Sequence, residues 1–313
     1  MINFRYHVVS LVAVMLALAV GIALGGGPLQ RTPDDDSSGG DTQTLVSAQA
    51  ELAQLEQGTA FADDYTDQTA DGVLDHNLED RAVTLLLLPG ADDADVTQLT
   101  EMVDRAGGTV TARAALGEKL IDVGNRQLVS ELAAQMASSA EDDLDLPADV
   151  SGYEQMGALM AHALVSHKAA GDDVDGTGES VLAGLTAADL LTGADAIDAR
   201  GSLVLVVAGE PYGSADERDG AGSIVSSLLS VLDEHCDGVV LVGPVASSAE
   251  DGLVGTVRAD PTTSDVVSTV DAVERTAGAV TAVLALREEA DGKSGHYGTS
   301  EAPDGAIPGA KGD

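Results

Sequence analysis

The side chains best suited to chemistry in this sequence are soft or imidazole donors: Met156, Met160, His162, His167, His235, Cys236 and His296. Thioether and thiolate ligands suit Cu(I), and imidazole suits copper in general. A site needs several such donors on one surface. Met156 and Met160 stand four residues apart and share a helix face, but His162 points roughly 160° away from Met156 at about 100° per residue. The ordinary reading of the Met pair is core filling, because methionine suits irregular gaps. That leaves His162 on the polar side. Cys236 follows His235 at the end of a helical stretch and reads as a small buried residue ahead of a strand. His296, in "SGHYG", looks the most exposed imidazole but stands alone. There is no Met-rich or His-rich repeat, so the metal ligands stay unassigned. With Cys236 as the only cysteine, an intramolecular disulfide and a multi-cysteine zinc site are excluded.

Other chemistries find less support. A phosphate-binding glycine loop follows a strand directly and opens a helix. "DGAGSIVSS" (219–227) is expected to open a helix, but it lies well beyond the strand "SLVLVVA" and follows Asp216, Glu217 and Asp219, which repel phosphate. "GPVASSAEDG" (243–252) lacks both G-x-G-x-x-G and a P-loop lysine. Neither G-x-S-x-G nor H-E-x-x-H occurs. No catalytic residue and no cofactor is therefore expected, and the chain does not read as an enzyme.

Charge narrows the partners. The 53 acidic and 15 basic residues give a net charge of −38, and Arg5 is the only charged side chain before Gly27. Nucleic acid is repelled by such a chain, as is anionic lipid. The ordinary reading is a solvated, aggregation-resistant surface; the sharper one is weak, non-specific collection of cations. At 44% hydrophobic, with no Trp, two Phe and five Tyr, the core is built of small aliphatics.

The elements that must position these residues begin with "VVSLVAVMLALAVGIALGGG" (8–27), which carries no charge. A membrane-crossing helix needs roughly 17–25 apolar residues, so residues 1–27 are expected to hold a single transmembrane anchor. Arg5 and the N-terminal amine precede it, which favours a cytoplasmic N-terminus. An uncleaved anchor is preferred to a signal peptide because the run exceeds a typical h-region and Ala17-Leu18-Ala19 lies inside it. Residues 28–42 read as a flexible linker. In the expected stalk, residues 43–80, Leu45, Ala48, Leu52 and Leu55 follow the 3-4-3 spacing of a coiled-coil seam for about two heptads before Gly58. An equal alternative is a short amphipathic helix packed on its own domain.

Residues 81–298 read as an α/β domain. "AVTLLLL" (82–88), "SLVLVVA" (202–208) and "GVVLVG" (238–243) are continuous apolar runs, as in strands buried on both faces. "TVTARA" (109–114) is a weaker strand and "GTVRA" (255–259) a candidate edge strand. Val96, Leu99, Val103 and Ala106 mark a helix capped by Asp92 or Asp93 and stopped at Gly107-Gly108. Leu128, Leu132 and Met136 mark another. Ser151 and Glu154 form a capping box ahead of Met156, Leu159, Met160, Ala163 and Leu164. A loop at 171–178, a helix near 179–192, a helix through Val225, Leu228, Leu229 and Leu232, and a last helix in "AVTAVLALREEA" (279–290) complete the pattern. Alternating strands and helices imply a doubly wound, mainly parallel sheet of the Rossmann-like three-layer class. Residues 299–313 are expected to be disordered.

Two stretches carry a resemblance: "FRYHVVSLVAVMLALAVGIALGGGPLQ" at the start and "STVDAVERTAGAVTAVLALREEADGKSGHYG" (268–298) near the end. With "VTLLLLPGA" and "LVLVVAGEP", they resemble the actinobacterial MctB-type copper transporter family. The resemblance implies copper efflux or copper homeostasis at the cell envelope, copper ions as cargo, and an outer-membrane location. It carries over no ligand residues. The residues themselves do not suggest a transmembrane barrel, which needs many alternating segments with aromatic girdles. Two functions are thus expected as alternatives. One is a single-pass envelope protein of copper homeostasis. The other is a non-catalytic interaction or scaffold module in envelope assembly or cell division, binding envelope proteins or self-associating.

Overall fold

The computed structural model describes residues 39–140, 150–211, 213–299 and 302–309. The expected anchor within residues 1–27 lies outside the described residues. Among the described residues no helix is long and apolar enough to cross a membrane.

Chain contacts divide the molecule into two units, residues 1–60 and 61–313, and the first helix contributes to both. This helix, α1 (Gly39–Leu74), begins inside the expected linker and runs through Gly58, where the coiled-coil seam was expected to stop. No neighbouring atom lies within 4 Å of where a Cβ on Gly58 would sit. A solvated glycine costs a helix roughly 1 kcal/mol relative to Ala and need not end it. Leu45, Leu52 and Leu55 are 64%, 57% and 62% exposed, whereas Ala70 and Leu74 at the other end of α1 are buried.

The remaining elements alternate. They are β1 (Ala82–Leu87), α2 (Asp93–Arg105), β2 (Thr109–Leu116), the short α3 (Glu118–Ile121), α4 (Arg126–Ser139), α5 (Gly152–Leu164) and β3 (Asp172–Asp173). After these come α6 (Gly176–Ala187), β4 (Leu191–Thr192), β5 (Ala199–Arg200), β6 (Leu203–Val207), α7 (Ala215–Asp233) and β7 (Val239–Val242). The chain ends with α8 (Leu253–Ala259), α9 (Pro261–Ser264), β8 (Ser268–Val270), α10 (Thr276–Glu289) and β9 (His296–Tyr297). Seven strands form one sheet in the order β4-β2-β1-β6-β7-β8-β9. All neighbours pair in parallel except β4 on β2. The protein is thus a mixed α/β fold on a mostly parallel sheet, as the alternating pattern implied.

Strand period explains the layering, since successive side chains point to opposite faces. Leu86, Val204, Val206 and Leu241 join one core with α4, α5, α6 and α7. Val83, Leu85, Leu203, Leu205 and Val240 join a second with the end of α1, α2 and α10. The helix faces anticipated on α2, α5, α7 and α10 are buried accordingly.

Several expectations are corrected. On α4, Leu132 and Met136 pack against the core as expected, but Leu128 is exposed and the fully buried positions are Val129 and Ala133. The loop at 171–178 is shorter: Asp175 caps α6 at Gly176, and Leu191–Thr192 is a strand rather than a helix end. Residues 255–259 belong to α8, where Val254 and Val257 are buried three residues apart. An apolar run this short is ambiguous between strand and helix by periodicity alone. Residues 302–309, expected to be disordered on composition, form turns. Ala302 is buried, and the Gly298 N–H donates to the Gly305 carbonyl at 3.0 Å.

Candidate functional site

The donors singled out above do not converge. Met156 and Met160 are buried in the core beneath α5. His162 Nε2 lies 3.0 Å from Asp175 Oδ1. Asp175 also accepts from the Gly178 N–H at 2.8 Å and from Arg200 Nη2 at 2.6 Å. Burial opposes its ionisation, but these three donors together hold the carboxyl far below the usual range. The group is a helix cap tied to a buried arginine. His167 is exposed, 3.5 Å from Asp237 Oδ1, and His235, just past the end of α7, has Nδ1 2.8 Å from the Val231 carbonyl of that helix. The Cys236 thiol is buried and bonded to the Gly238 carbonyl at 3.5 Å; burial pushes its pKa up. His296, expected to be exposed, is half-buried, with Nδ1 3.0 Å from Thr269 Oγ1, and burial lowers its pKa. Among the described residues no group of three or more His, Cys, Asp or Glu side chains is placed to hold a metal ion.

The fold instead builds a cleft elsewhere. After β1 the chain moves outward to β2, then returns past β1 to β6, β7 and β8. In open parallel sheets the loops at the carboxyl ends diverge where the strand order reverses, and ligands bind in the crevice left there. Here that point lies between β1 and β6. A cavity of about 570 Å³ is lined from the segments after β1 (Pro89), β2 (Glu118 and Ile121 to Gly124), β6 (Gly209, Glu210, Pro211 and Gly213) and β7 (Asp251, Leu253), and by the first turns of α7. Its wall is mainly apolar, through Pro89, Ile121, Val123, Pro211, Ala221 and Leu253.

Local sequence explains the walls. Pro89-Gly90 ends β1, with Gly90 at φ 86°, a conformation that glycine adopts without strain. A Cβ on Gly209 would collide with the Gly90 carbonyl, so glycine at 209 lets the two diverging loops touch. Ser214 caps α7: its Oγ accepts from the Glu217 N–H, and Glu217 Oε2 accepts from the Ser214 N–H at 2.7 Å. Its sequence signal is the S-x-x-E spacing at 214–217. "DGAGSIVSS" therefore lies inside α7 and does not open it. Arg218 bridges the Asp251 carboxylate and the Gly213 carbonyl, holding two of the loops together.

The electrostatics of the cleft are one-sided. Among the described residues, Glu118, Asp122, Glu210, Asp216, Glu217 and Asp251 line it against the single cation Arg218. A helix N-terminus ordinarily favours an anion, but that of α7 is met by its own Asp216 and Glu217. Among the described residues no His, Cys or Met lines the cleft, and the donors that do are hard oxygens rather than the soft ligands that suit Cu(I).

Comparison with known proteins adds what the geometry leaves open. Residues 1–308 match the family described as copper transport outer membrane protein, MctB. The chain belongs to that family. Copper transporter MctB of Mycobacterium tuberculosis (strain ATCC 25618 / H37Rv) is 28% identical over 307 residues, covering 96% of each chain. Copper transporter MctB of Mycobacterium leprae (strain TN) is 27% identical over 310 residues, covering 95% of this chain and 96% of its own. The resemblance drawn from the two ends of the chain thus holds along nearly its whole length. In this MctB-family chain, "SGHYG" supplies the last sheet strand, and buried Asp271 of "STVDAVERT" donates its N–H to the Tyr297 carbonyl of that strand at 3.2 Å.

Proposed function

We propose that the chain is a single-pass protein of the cell envelope that contributes to copper efflux or copper homeostasis. The observation that carries this reading is the family match over residues 1–308, which takes in the apolar run and the α/β fold together. In this reading residues 8–27 are an uncleaved anchor with the N-terminus cytoplasmic, and everything beyond is extracytoplasmic. The family description adds the outer membrane as the alternative address. Copper is cargo here, and the reading rests on kinship rather than on a ligand set. Deleting the gene should lower copper tolerance and raise cell copper content, and the wild-type gene should restore both. Unchanged tolerance and content would sink the proposal.

A second reading has an observation of its own. In a chain with two Phe and five Tyr, Phe61 and Tyr65 are 71% and 62% exposed, and they stack on each other on α1 with ring centroids 6.4 Å apart. Leu45, Leu52 and Leu55, earlier on α1, are exposed as well. This favours an interaction or scaffold role in the envelope. Recovery of a specific envelope partner with the full chain from detergent extracts, lost when these side chains are made polar, would support it.

A further inference from the structure

We infer that the cleft at the carboxyl ends of β1 and β6 binds a small organic cation: an ammonium, amidinium or guanidinium group carried on an apolar body. Three independent features lead there. The cavity lies at the switch point of the sheet, the place where this architecture leaves room for a ligand. Its volume of about 570 Å³ falls within the roughly 300–1,000 Å³ of small-molecule sites. Its wall is preset rather than a chance gap, because the capping box of α7, the Arg218 bridge and the contact of Gly209 with Gly90 fix the surrounding loops.

The polar groups then select the ligand. Arg218 pairs with Asp251 through Nη2 and donates to the Gly213 carbonyl through Nη1, leaving only its buried Nε without a partner among the described residues; Glu217 is bonded to Ser214, and Asp122 to the Gly124 N–H and the Asn125 amide. Glu118, Glu210 and Asp216 line the cavity and form no ion pair among the described residues. An anion entering would meet these carboxylates and an α7 terminus already met by acid. A cation gains from the carboxylates, and a flat or branched apolar body covers Ile121, Val123, Ala221 and Leu253. A bare metal ion would leave this apolar wall uncovered.

The test uses the full chain in a non-ionic detergent and calorimetric titration with benzamidinium, neutral benzamide and benzoate, which share one ring and differ in charge. Benzamidinium should bind at one site, and the other two should bind at least about tenfold more weakly. The double variant Glu210→Gln/Asp216→Asn should weaken benzamidinium about fivefold, the scale of one or two partly exposed ion pairs. The control Glu101→Gln/Asp104→Asn, on exposed α2 positions, should leave binding unchanged and so separates the site from the general negative field. Equal binding of benzoate, no binding of benzamidinium, or equal loss in the control would overturn the proposal.

Discussion

The Arg258 guanidinium meets the fully buried carboxylate of Asp271 at 3.0 Å, and this pair ties the last strand to the sheet. Arg258 also donates to Thr269 Oγ1 and to the Tyr297 carbonyl, both at 2.8 Å. Asp271 accepts from the Thr299 N–H at 2.7 Å. Gly298, at φ 134°, packs so closely on the carboxylate that a Cβ would collide with it. Removing one partner of a buried pair typically costs about 3–5 kcal/mol, because the other is left unpaired. Arg258→Ala and Asp271→Ala should each lower the thermal midpoint by about 6 °C or more, read by circular dichroism. Gly298→Ala should shift it in the same direction. A midpoint unchanged in all three would show that β9 does not depend on this clamp.

Stability should also fall as pH rises above the ordinary carboxyl range. Burial pushes Glu289 from 4.5 up to about 8, aided by nearby Asp233. Burial and Glu234 push Asp233 from 3.8 up to about 6. Both carboxyls keep in the folded state a proton that the unfolded chain gives up. Their contribution is therefore fully present below about pH 4 and is lost as pH approaches their folded values. The lowered carboxyls of Asp175 and Glu154 act in the opposite sense, losing stability only in stronger acid. Glu289→Gln keeps an acceptor for the Ser268 N–H, bonded at 2.8 Å in the native chain. It should be neutral at pH 4 and stabilising by about 1 kcal/mol or more at pH 8, on the scale of one pKa unit. Denaturant midpoints at the two pH values decide this.

The first half of α1 should associate with a second copy of itself. Leu45, Leu52 and Leu55 lie exposed at seam spacing, and coiled-coil pairing would bury each at roughly 1.5–3 kcal/mol. Sedimentation of the detergent-solubilised chain should give a concentration-dependent dimer. Leu52→Glu/Leu55→Glu should render it monomeric while leaving the thermal midpoint of the α/β fold unchanged. A wild-type chain that stays monomeric at all concentrations would remove the seam as a self-association surface.

Much of the fold was legible because its strongest signals are local. Continuous apolar runs such as 82–88 and 202–208 need burial on both faces, and the capping box at Ser151 and Glu154 fixes a helix start within a few residues. What was missed depends on distant partners. The two-residue strand at His296 has no periodicity to read; it exists because Arg258 and Asp271, well upstream, hold it. Gly58 read as a stop, yet α1 passes through it because a lone solvated glycine weakens a helix without breaking it. The cleft was illegible for the same reason: its lining comes from four loops separated in sequence and brought together only by the strand order. The S-x-x-E at 214–217 was the one piece of it within reach.

Cys236 should prove irrelevant to copper handling, although its chemistry alone suggests a Cu(I) ligand. A metal-binding cysteine acts as thiolate. Burial pushes this thiol in the opposite direction, and Asp233, Asp237 and Glu289 add to the shift, so its environment disfavours the thiolate. The native chain should therefore resist iodoacetamide at pH 8 and react fully once denatured, as mass spectrometry can follow. Cys236→Ala should leave the chain's ability to restore copper tolerance in the deletion strain unchanged, with a stability loss of about 1–2 kcal/mol from the smaller side chain. If tolerance disappeared while the thermal transition stayed intact, the buried thiol would have to become exposed during function. The segment that leads into β7 at Gly238 would then be the one that opens, since Cys236 is anchored to its carbonyl.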